Sequence, residues 1–371
     1  MKGKRVGLFT QPLEKAGLIP LSNLIDLISP FSHDLSIISG NQELPAFKKN
    51  NVSHYKIYFH TPGKSQFSRI LKFFFLQMKI SFYFIKFNKH VDLWLFFLGS
   101  EIYIIPLILA RLLKKPVFCV LTSSASQMFT HDRHLFIIRY FAQTGYFFAN
   151  KIIIYSPRLI SEWNLEPYRH KILIAHRHFL DFDTYNVTTP LSDRPPLVGY
   201  TGRLSAEKGV QNLLKALPII FNYRNELRAL IVGDGPLKES IEISLEAEKI
   251  SDRVDLAGWI SHDDLPRYLN QLRLLVLPSF TEGFPNILLE AMACGTPVLA
   301  TPVGAIPDFI RDGETGFIMN NNSPECIAKN MDRALSSPDL ERIAEKGRLF
   351  VEENHTFEKT LENWRKILDE I

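Results

Sequence analysis

The stretch Pro278-Ser-Phe-Thr-Glu-Gly-Phe-Pro-Asn-Ile-Leu-Leu-Glu-Ala-Met-Ala-Cys-Gly-Thr-Pro297 joins the end of a strand to a loop and a helix. The apolar run 274–277 before it predicts a buried parallel strand, and Pro285 suits the first turn of the helix. Open α/β sheets bind ligands at loops of this kind, where a strand ends and a helix begins. The stretch therefore predicts a ligand-binding turn that carries two acids, Glu282 and Glu290.

The alternative is an ordinary strand-loop-helix unit with two solvated acids. Glu290 is flanked by Leu289 and Ala291 on a largely apolar helix, and a partly buried carboxylate needs partners. Backbone N–H groups at a helix start have no partner within the helix, so we expect those of Gly283, Phe284 and Asn286 to face a ligand. We therefore prefer a binding site.

The size and composition of the chain predict a two-domain globular protein. The chain has 371 residues, of which 46% are hydrophobic and 22% charged. Its three cysteines are widely spaced and odd in number, which argues against a disulfide framework and a cysteine-based zinc site. The sequence shows neither a signal region nor an apolar stretch long enough to span a bilayer. We therefore expect a cytoplasmic protein in a reducing compartment.

The net charge of +4 conceals two halves of opposite sign. Residues 1–190 contain 23 Lys and Arg against 11 Asp and Glu, whereas residues 191–371 contain 20 against 28. We expect the basic half to face an anionic surface or substrate.

Apolar strands alternate with helical stretches along the whole chain, which predicts a parallel, doubly wound α/β fold. Residues 1–180 form the first Rossmann-like domain of this prediction, and residues 197–355 form the second. Residues 181–196 are rich in Asp, Thr, Ser and Pro and are interpreted as a linker. Residues 356–371 are predicted to form a C-terminal helix that returns to the first domain.

One helix of the basic half has an unusual surface. It is predicted over residues 69–87, with Lys72, Lys79 and Lys86 seven residues apart and Arg69 nearby, among Phe, Leu, Ile and Met. Lysines at this spacing lie within about 40° of one another on a helix. A basic stripe beside an aromatic surface favours peripheral contact with an anionic membrane. The alternative is a crossover helix that is buried on most sides. No motif supports nucleic-acid binding.

Basic residues follow the strand that opens the second domain. After Gly202, which permits a tight turn, Arg203 and Lys208 are placed to converge on a phosphate or pyrophosphate. Gly233-Asp-Gly-Pro236 lacks the third glycine of a dinucleotide-binding fingerprint, and no P-loop occurs. The histidines at 170, 176 and 178 lack an acid or cysteine that would complete a metal site, so we expect none.

These motifs together resemble glycosyltransferase family 4. The resemblance covers nearly all of residues 197–371 and is loose over residues 1–190. The family's members are retaining enzymes with nucleotide-sugar donors and the GT-B fold, in which two Rossmann-like domains face each other across a cleft. The motifs that carry the resemblance are Thr201-Gly-Arg-Leu204 with Lys208-Gly209, Gly233-Asp-Gly-Pro236, Gly258-Trp259, Pro278-Ser279, Glu282-Gly-Phe-Pro-Asn286, Glu290, Gly295-Thr-Pro-Val298 and Asp312-Gly-x-x-Gly316.

The resemblance implies a role for each matching residue. Arg203 and Lys208 match the basic pair that binds the donor pyrophosphate and stabilises the leaving nucleoside diphosphate. Glu282 matches the acid that faces the donor sugar, and Glu290 matches the acid that binds the ribose hydroxyls. Gly17 matches the loop glycine near the donor phosphates. The remaining nucleotide-sugar-binding positions are Gly202, Gly233, Gly258, Trp259, Ile260, Gly283, Phe284, Asn286 and Ile287.

The sequence departs from the family pattern in two places. Thr122-Ser-Ser-Ala-Ser126 stands where many members have a histidine that contacts the donor sugar, and His131 and His134 follow nearby. His178-Phe179 replaces the usual Asn-Gly before the linker. Both departures leave the acceptor and the donor sugar open.

The predicted function is transfer of a sugar, with retention, from a UDP- or GDP-sugar to a cell-surface glycan or a lipid-linked acceptor at the inner face of the membrane. No cofactor or catalytic metal is expected. A sugar-nucleotide epimerase of the same fold and a non-catalytic donor-binding scaffold are alternatives. A nicotinamide-dependent oxidoreductase is disfavoured because its fingerprint is missing.

Overall fold

The chain forms two compact units, residues 1–178 with 358–371 and residues 179–357. Each unit contains a parallel sheet with helices, which confirms the predicted pair of Rossmann-like α/β domains. This computed structural model describes residues 3–11, 13, 15–40, 50–57, 65–122 and 136–369.

Within the described residues, the sheet of the first unit has seven parallel strands. They are β1 (Lys4–Thr10), β2 (Ser32–Ser39), β3 (Val52–Lys56), β4 (Leu93–Phe97), β5 (Val117–Val120), β6 (Lys151–Ile154) and β7 (Ile172–Ile174). Their order is β3-β2-β1-β4-β5-β6-β7, so the direction of strand addition reverses between β1 and β4. The sequence also predicts a strand over 57–60. Strand β3 ends at Lys56, so Ile57 lies just after it, and residues 58–60 lie outside the described residues.

The helices of the first unit connect these strands. They are α1 (Lys15–Ile28), α2 (Gln66–Phe87), α3 (Ile104–Leu112), α4 (Phe136–Phe148), α5 (Leu159–Glu162) and, from the end of the chain, α13 (Phe357–Asp369). Gly17 was predicted in a loop, but it lies in the first turn of α1, which begins three residues earlier than the sequence pattern indicated.

The second sheet has six parallel strands in the order β10-β9-β8-β11-β12-β13. They are β8 (Leu197–Thr201), β9 (Arg228–Val232), β10 (Val254–Gly258), β11 (Leu274–Leu277), β12 (Val298–Ala300) and β13 (Phe317–Ile318). All four residues of β11 are buried, as expected for a central parallel strand.

The helices of the second unit lie between and after these strands. They are α6 (Val210–Tyr223), α7 (Lys238–Ala247), α8 (Leu265–Leu269), α9 (Asn286–Ala293), α10 (Ile306–Phe309), α11 (Pro324–Leu335) and α12 (Leu340–Asn354). Helix α6 begins at Val210, because residues Ala206–Lys208 before it form a 3-10 turn.

Residues 181–196, which were predicted as a linker, are part of the second unit. Arg194 is 3% exposed, and its guanidinium donates to the carbonyl oxygen of Cys294 at 2.7 Å and to Thr296 Oγ1 at 2.7 Å. Burial lowers the pKa of Arg194 to about 10. These hydrogen bonds tie the segment to the carboxyl end of α9.

Helix α13 is attached to the first unit by buried side chains and several hydrogen bonds. Trp364 is 0% exposed, and its Nε1 donates to the carbonyl oxygen of His176 at 2.8 Å. Lys4 on β1 donates to the carbonyl oxygen of Leu368 at 3.0 Å. The end of the chain therefore completes the first unit.

We expect Trp364→Ala to lower the free energy of unfolding of the first unit by about 3 kcal/mol or more, because it opens a large cavity and removes a hydrogen bond. Denaturant unfolding followed by far-UV circular dichroism measures this loss. The control is Arg365→Ala on the exposed face of the same helix, which should change stability by less than about 0.5 kcal/mol. Equal effects of the two substitutions would contradict the packing role of Trp364.

Candidate active site

The predicted site residues of the second unit gather where its strand order reverses. Strands β8 and β11 pair side by side in the sheet, but their connections leave in opposite directions. The loop after β8 (residues 202–209) and the loop after β11 (residues 278–285) therefore flank a crevice at the carboxyl edge of the sheet.

The two loops are in backbone contact at a glycine, where a side chain would not fit. Gly209 has a φ of +68°, and a Cβ at this position would lie 2.0 Å from the carbonyl oxygen of Pro278. The N–H of Phe280 donates to the carbonyl oxygen of Glu207 at 2.9 Å. Any other residue at position 209 would push the loops apart.

An ion pair joins the two loops inside the crevice. Lys208 Nζ donates to both carboxylate oxygens of Glu282, at 2.7 and 2.8 Å. Ser279 Oγ donates to Glu282 Oε1 at 2.7 Å. The Glu282 side chain is 7% exposed and that of Lys208 is 29% exposed, so the carboxylate is buried and the ammonium remains reachable.

Arg203 lies on the same loop as Lys208 but makes a different set of contacts. It is exposed, and its carbonyl oxygen accepts a hydrogen bond from the Tyr200 hydroxyl at 2.8 Å. Burial opposes the ionisation of Glu207, but the Ser205 hydrogen bond and, to a smaller extent, the positive charge of Arg203 lower the pKa of that carboxyl. The crevice thus has two basic residues, one held by a buried acid and one extending into solvent.

Glycines end three neighbouring strands at the same edge. A Cβ on Gly233 would lie 1.9 Å from the carbonyl oxygen of Gly202, and the N–H of Gly233 donates to the carbonyl oxygen of Gly258 at 2.7 Å. Beyond Gly258, the Trp259 side chain is 73% exposed and Ile260 is half-buried. An exposed indole beside a glycine edge offers a flat surface for a planar ring.

The start of α9 forms the floor of the site. The carbonyl oxygen of Gly283 accepts from the N–H of Ala305 at 3.1 Å, and the ring of Phe284 packs edge-on against Phe309. Ile287 packs against the core. The buried Oδ1 of Asn286 accepts no hydrogen bond within the described part of the chain. A buried acceptor of this kind is suited to a ligand hydroxyl.

Glu290 has a partner that the sequence did not reveal. Glu290 is 4% exposed, and His262 Nε2 donates to its Oε1 at 3.0 Å. The hydroxyl of Tyr185 lies 3.0 Å from His262 Nδ1. His262 is 28 residues from Glu290 and stands alone in a polar loop, so no spacing pattern indicated the contact. Tyr185, His262 and Glu290 form a hydrogen-bonded chain beside α9.

The remaining sequence predictions fall in the first unit or outside the described residues. Residues 123–126, His131 and His134 lie outside them. His178 is buried, and its Nε2 lies 2.6 Å from Nη1 of Arg177. Within the described ranges, no group of three or more His, Cys, Asp or Glu side chains is placed to hold a metal ion.

The hydrogen bond from His262 to Glu290 raises the pKa of the imidazole above its usual range, and burial opposes the shift. Because the pKa of His262 is raised in the folded protein, the His262–Glu290 pair stabilises the fold fully below about pH 6.5. This stabilisation is lost as the pH rises through the pKa that His262 has in the folded protein.

We expect the substitution Glu290→Gln to lower the pKa of His262. Titration of the histidine resonances by NMR measures this shift, and His90, exposed in the first unit, serves as the internal reference. An unchanged pKa of His262 in the variant would show that the Glu290 carboxylate does not control it.

Comparison with known proteins places the sequence similarity in the second unit. Residues 181–350 match the family model described as glycosyl transferases group 1. The chain is 33% identical over 178 residues to alpha-D-kanosaminyltransferase from Streptomyces kanamyceticus, covering 46% of each chain. It is 30% identical over 181 residues to a lipopolysaccharide 1,2-N-acetylglucosaminetransferase from Salmonella typhimurium, covering 44% of this chain and 48% of that protein. The chain therefore spans about half the length of the curated relatives it matches.

Similarity over both units is one of fold. The structure of HepE from Anabaena in complex with UDP and glucose superimposes with a TM-score of 0.77 at 16% identity, covering 99% of this chain and 100% of that one. The prediction of an α/β fold with two Rossmann-like domains is thus confirmed, and the predicted enzyme class agrees with the names of the relatives. Residues 181–350 match the family model of glycosyl transferases group 1, and over its whole length the chain shares a two-domain α/β fold with HepE.

Proposed function

We propose that this protein is a retaining glycosyltransferase of family 4 that moves a sugar from a UDP- or GDP-sugar to a cell-surface glycan or a lipid-linked acceptor. The observation that carries this proposal is the Lys208–Glu282 ion pair beside Arg203, in the crevice between the loops after β8 and β11. The glycosyltransferase names of the relatives, which include a lipopolysaccharide enzyme, support the reaction class.

The basic residues supply the charge that the reaction needs. When the bond between the anomeric carbon and the phosphate oxygen breaks, negative charge accumulates on the leaving nucleoside diphosphate. Lys208 is already held in the crevice by Glu282, so its ammonium needs little reorganisation to meet that charge. Arg203 can donate two parallel hydrogen bonds to phosphate oxygens. With these two residues the proposal requires no metal ion.

The contacts of Glu282 favour a positioning role. Both of its carboxylate oxygens accept from Lys208, and one accepts from Ser279 as well. A carboxylate with its lone pairs engaged in this way is a poor nucleophile, and a covalent glycosyl-enzyme intermediate would need a free one. We therefore propose attack of the acceptor on the same face of the sugar from which the diphosphate departs, with Glu282 orienting Lys208 and the donor sugar.

The buried acceptors around α9 fit the nucleoside part of the donor. A carboxylate such as Glu290 can accept hydrogen bonds from two vicinal hydroxyls, and His262 holds its Oε1 in place. The exposed Trp259 next to Gly258 can pack against the base. The ligand of HepE, UDP with glucose, makes a UDP-sugar the first donor to test.

The first unit supports peripheral contact with an anionic membrane. Helix α2 leaves a run of large apolar side chains exposed to solvent, so the alternative of a helix buried on most sides does not hold. The exposed residues are Ile70, Leu71, Phe74, Phe75, Met78, Phe82 and Ile85, with exposures from 43% to 64%. Among the described residues no helix is both long and apolar enough to cross a bilayer.

The arrangement of charges on α2 matches such a contact. At about 100° per residue, the exposed apolar side chains cover an arc of about 140°. Lys72, Lys79 and Lys86 lie immediately beside this arc and are exposed, with Arg69 near the start of the helix. Helix α2 contains no acidic residue. Apolar side chains that enter the headgroup region, flanked by lysines that meet anionic lipids, are typical of interfacial helices.

Lys208→Ala is expected to reduce donor turnover by about 100-fold or more, because it removes a preorganised charge from the leaving group. The measurement is release of nucleoside diphosphate from a panel of nucleotide sugars, since slow donor hydrolysis needs no acceptor. Lys215→Ala, which changes an exposed lysine on α6, is the matched control and should retain full activity. Equal activity of both variants would contradict the assignment of the diphosphate site.

Replacing Lys72, Lys79 and Lys86 together by Ser is expected to weaken binding to anionic vesicles by about 100-fold or more, at roughly 1 kcal/mol for each cation at the surface. Sedimentation with phosphatidylglycerol vesicles measures the effect. The control replaces three exposed lysines of the second unit, Lys215, Lys238 and Lys346, by Ser. It changes the net charge by the same amount as the α2 variant. Equal losses in both triple variants would show that net charge, and not the α2 surface, drives binding.

A further inference from the structure

We propose that a hollow beside the carboxyl ends of α3 and α4 binds the phosphate of an anionic lipid headgroup. This hollow, called here the α3–α4 pocket, measures about 500 Å³ and is lined by Arg111, Phe147, Phe148, Ala149, Asn150, His170 and Lys171. The proposal rests on the membrane contact proposed above and adds a specific headgroup site to it.

The α3–α4 pocket concentrates positive charge without a matching acid. Arg111 lies in the last turn of α3, and His170 and Lys171 lie in the last turn of the 3-10 helix before β7. Burial and the nearby positive charge of Arg111 lower the pKa of Lys171. Neither Arg111 nor Lys171 forms an ion pair with an acid in the described part of the chain. A bound anion would relieve the repulsion between these cations.

One pocket residue has a structural task as well. Lys171 Nζ donates to the carbonyl oxygen of Phe147 at 2.5 Å, at the carboxyl end of α4, where a cation is favoured by the helix dipole. This contact fixes the ammonium at the pocket and leaves two of its three protons for another acceptor. Within the described residues the Arg111 side chain caps no helix. A substitution of Arg111 therefore tests ligand binding without removing the contact that caps α4.

The surroundings of the pocket favour a lipid over a soluble phosphate. Phe147 is 64% exposed at the pocket, and the ring also lies 5.5 Å from Lys171 Nζ. Leu112, next to Arg111, is 74% exposed, and Tyr140, two turns before Phe147 on α4, is 63% exposed. Helix α3 packs against both α2 and α4. None of these three helices contains an acidic residue.

The pocket and the exposed face of α2 therefore belong to one helical layer that combines apolar side chains with cations. A phosphodiester headgroup placed at the pocket would meet Arg111 through two parallel hydrogen bonds, while Phe147 and Leu112 contact the acyl region. A free phosphate would use the cations alone and leave these two large side chains in water.

The test compares vesicles in which phosphatidylglycerol or oleate supplies the same surface charge in a phosphatidylcholine background. Arg111→Gln is expected to weaken binding to phosphatidylglycerol vesicles by about 10-fold or more, the scale of a charged hydrogen bond, and to affect oleate vesicles no more than the control does. The control is Arg139→Gln, an exposed arginine of α4 outside the pocket, which should weaken binding to both vesicle types by a similar small factor. Thermal unfolding verifies that both variants are folded.

Three outcomes would overturn the proposal. If Arg111→Gln weakened binding to both vesicle types equally, Arg111 would act only through its charge and would not recognise a phosphate headgroup. Binding to phosphatidylglycerol vesicles that is unchanged by this substitution would mean that the pocket takes no headgroup. Phosphorus NMR measures whether soluble glycerol phosphate binds at the pocket. If it bound there while vesicle binding showed no selectivity, the pocket would take a soluble phosphate and not a lipid. If the wild type bound no vesicle, the membrane contact itself would be rejected, and the headgroup site with it. A variant that lost only donor hydrolysis would bear on the catalytic proposal alone.

Discussion

The contact between the loops after β8 and β11 is the constraint on which the candidate site depends. Gly209 lets the first loop come against the carbonyl oxygen of Pro278, and the Lys208–Glu282 ion pair then spans the same gap. A buried carboxylate such as Glu282 requires a charged partner, and Lys208 provides it without leaving the crevice. The same pair therefore stabilises the loop geometry and holds a cation at the proposed diphosphate site.

The other parts of the site extend from this contact in two directions. Gly202, Gly233 and Gly258 align at the ends of β8, β9 and β10, where close backbone approach leaves room for a ligand above the sheet. On the other side, α9 presents the unpaired Oδ1 of Asn286 and the carboxylate of Glu290. Phosphate, sugar and ribose could each meet a different group around one crevice.

The sequence predicted the second unit better than the first, for physical reasons. Strand β11 was predicted to the residue, because it is a short apolar run that ends at Pro278. The edge strand β3, with the sequence Val-Ser-His-Tyr-Lys, was missed because it lacks an apolar run. The acids Glu282 and Glu290 were identified as site candidates, but the partner of Glu290 was not. Only the fold brings His262 to that carboxylate, so local spacing has no information about it.

The sequence also did not predict which apolar side chains of α2 are exposed to solvent. The composition of α2 fitted a buried crossover helix as well as an interfacial one, because both contain many Phe, Leu and Ile. In the structure Ile80 and Phe84 are buried, whereas Phe75 and Phe82 are more than 60% exposed, so α2 is not buried on most sides. Large exposed apolar patches on a protein surface mark interaction sites, which gives the basic first unit a physical reason for its composition.

The central claim, that the crevice between the two loops binds a nucleoside diphosphate, is tested most directly by thermal unfolding of the wild type with matched nucleosides, nucleoside diphosphates and nucleotide sugars. A ligand at 100 times its dissociation constant stabilises the folded state by about 2.7 kcal/mol, which is a measurable shift of the unfolding temperature. The account predicts that UDP or GDP raises this temperature and that the corresponding nucleoside, which lacks the phosphates, has a much smaller effect. Stabilisation by the nucleoside equal to that by the diphosphate, or no stabilisation by any nucleotide, would contradict it.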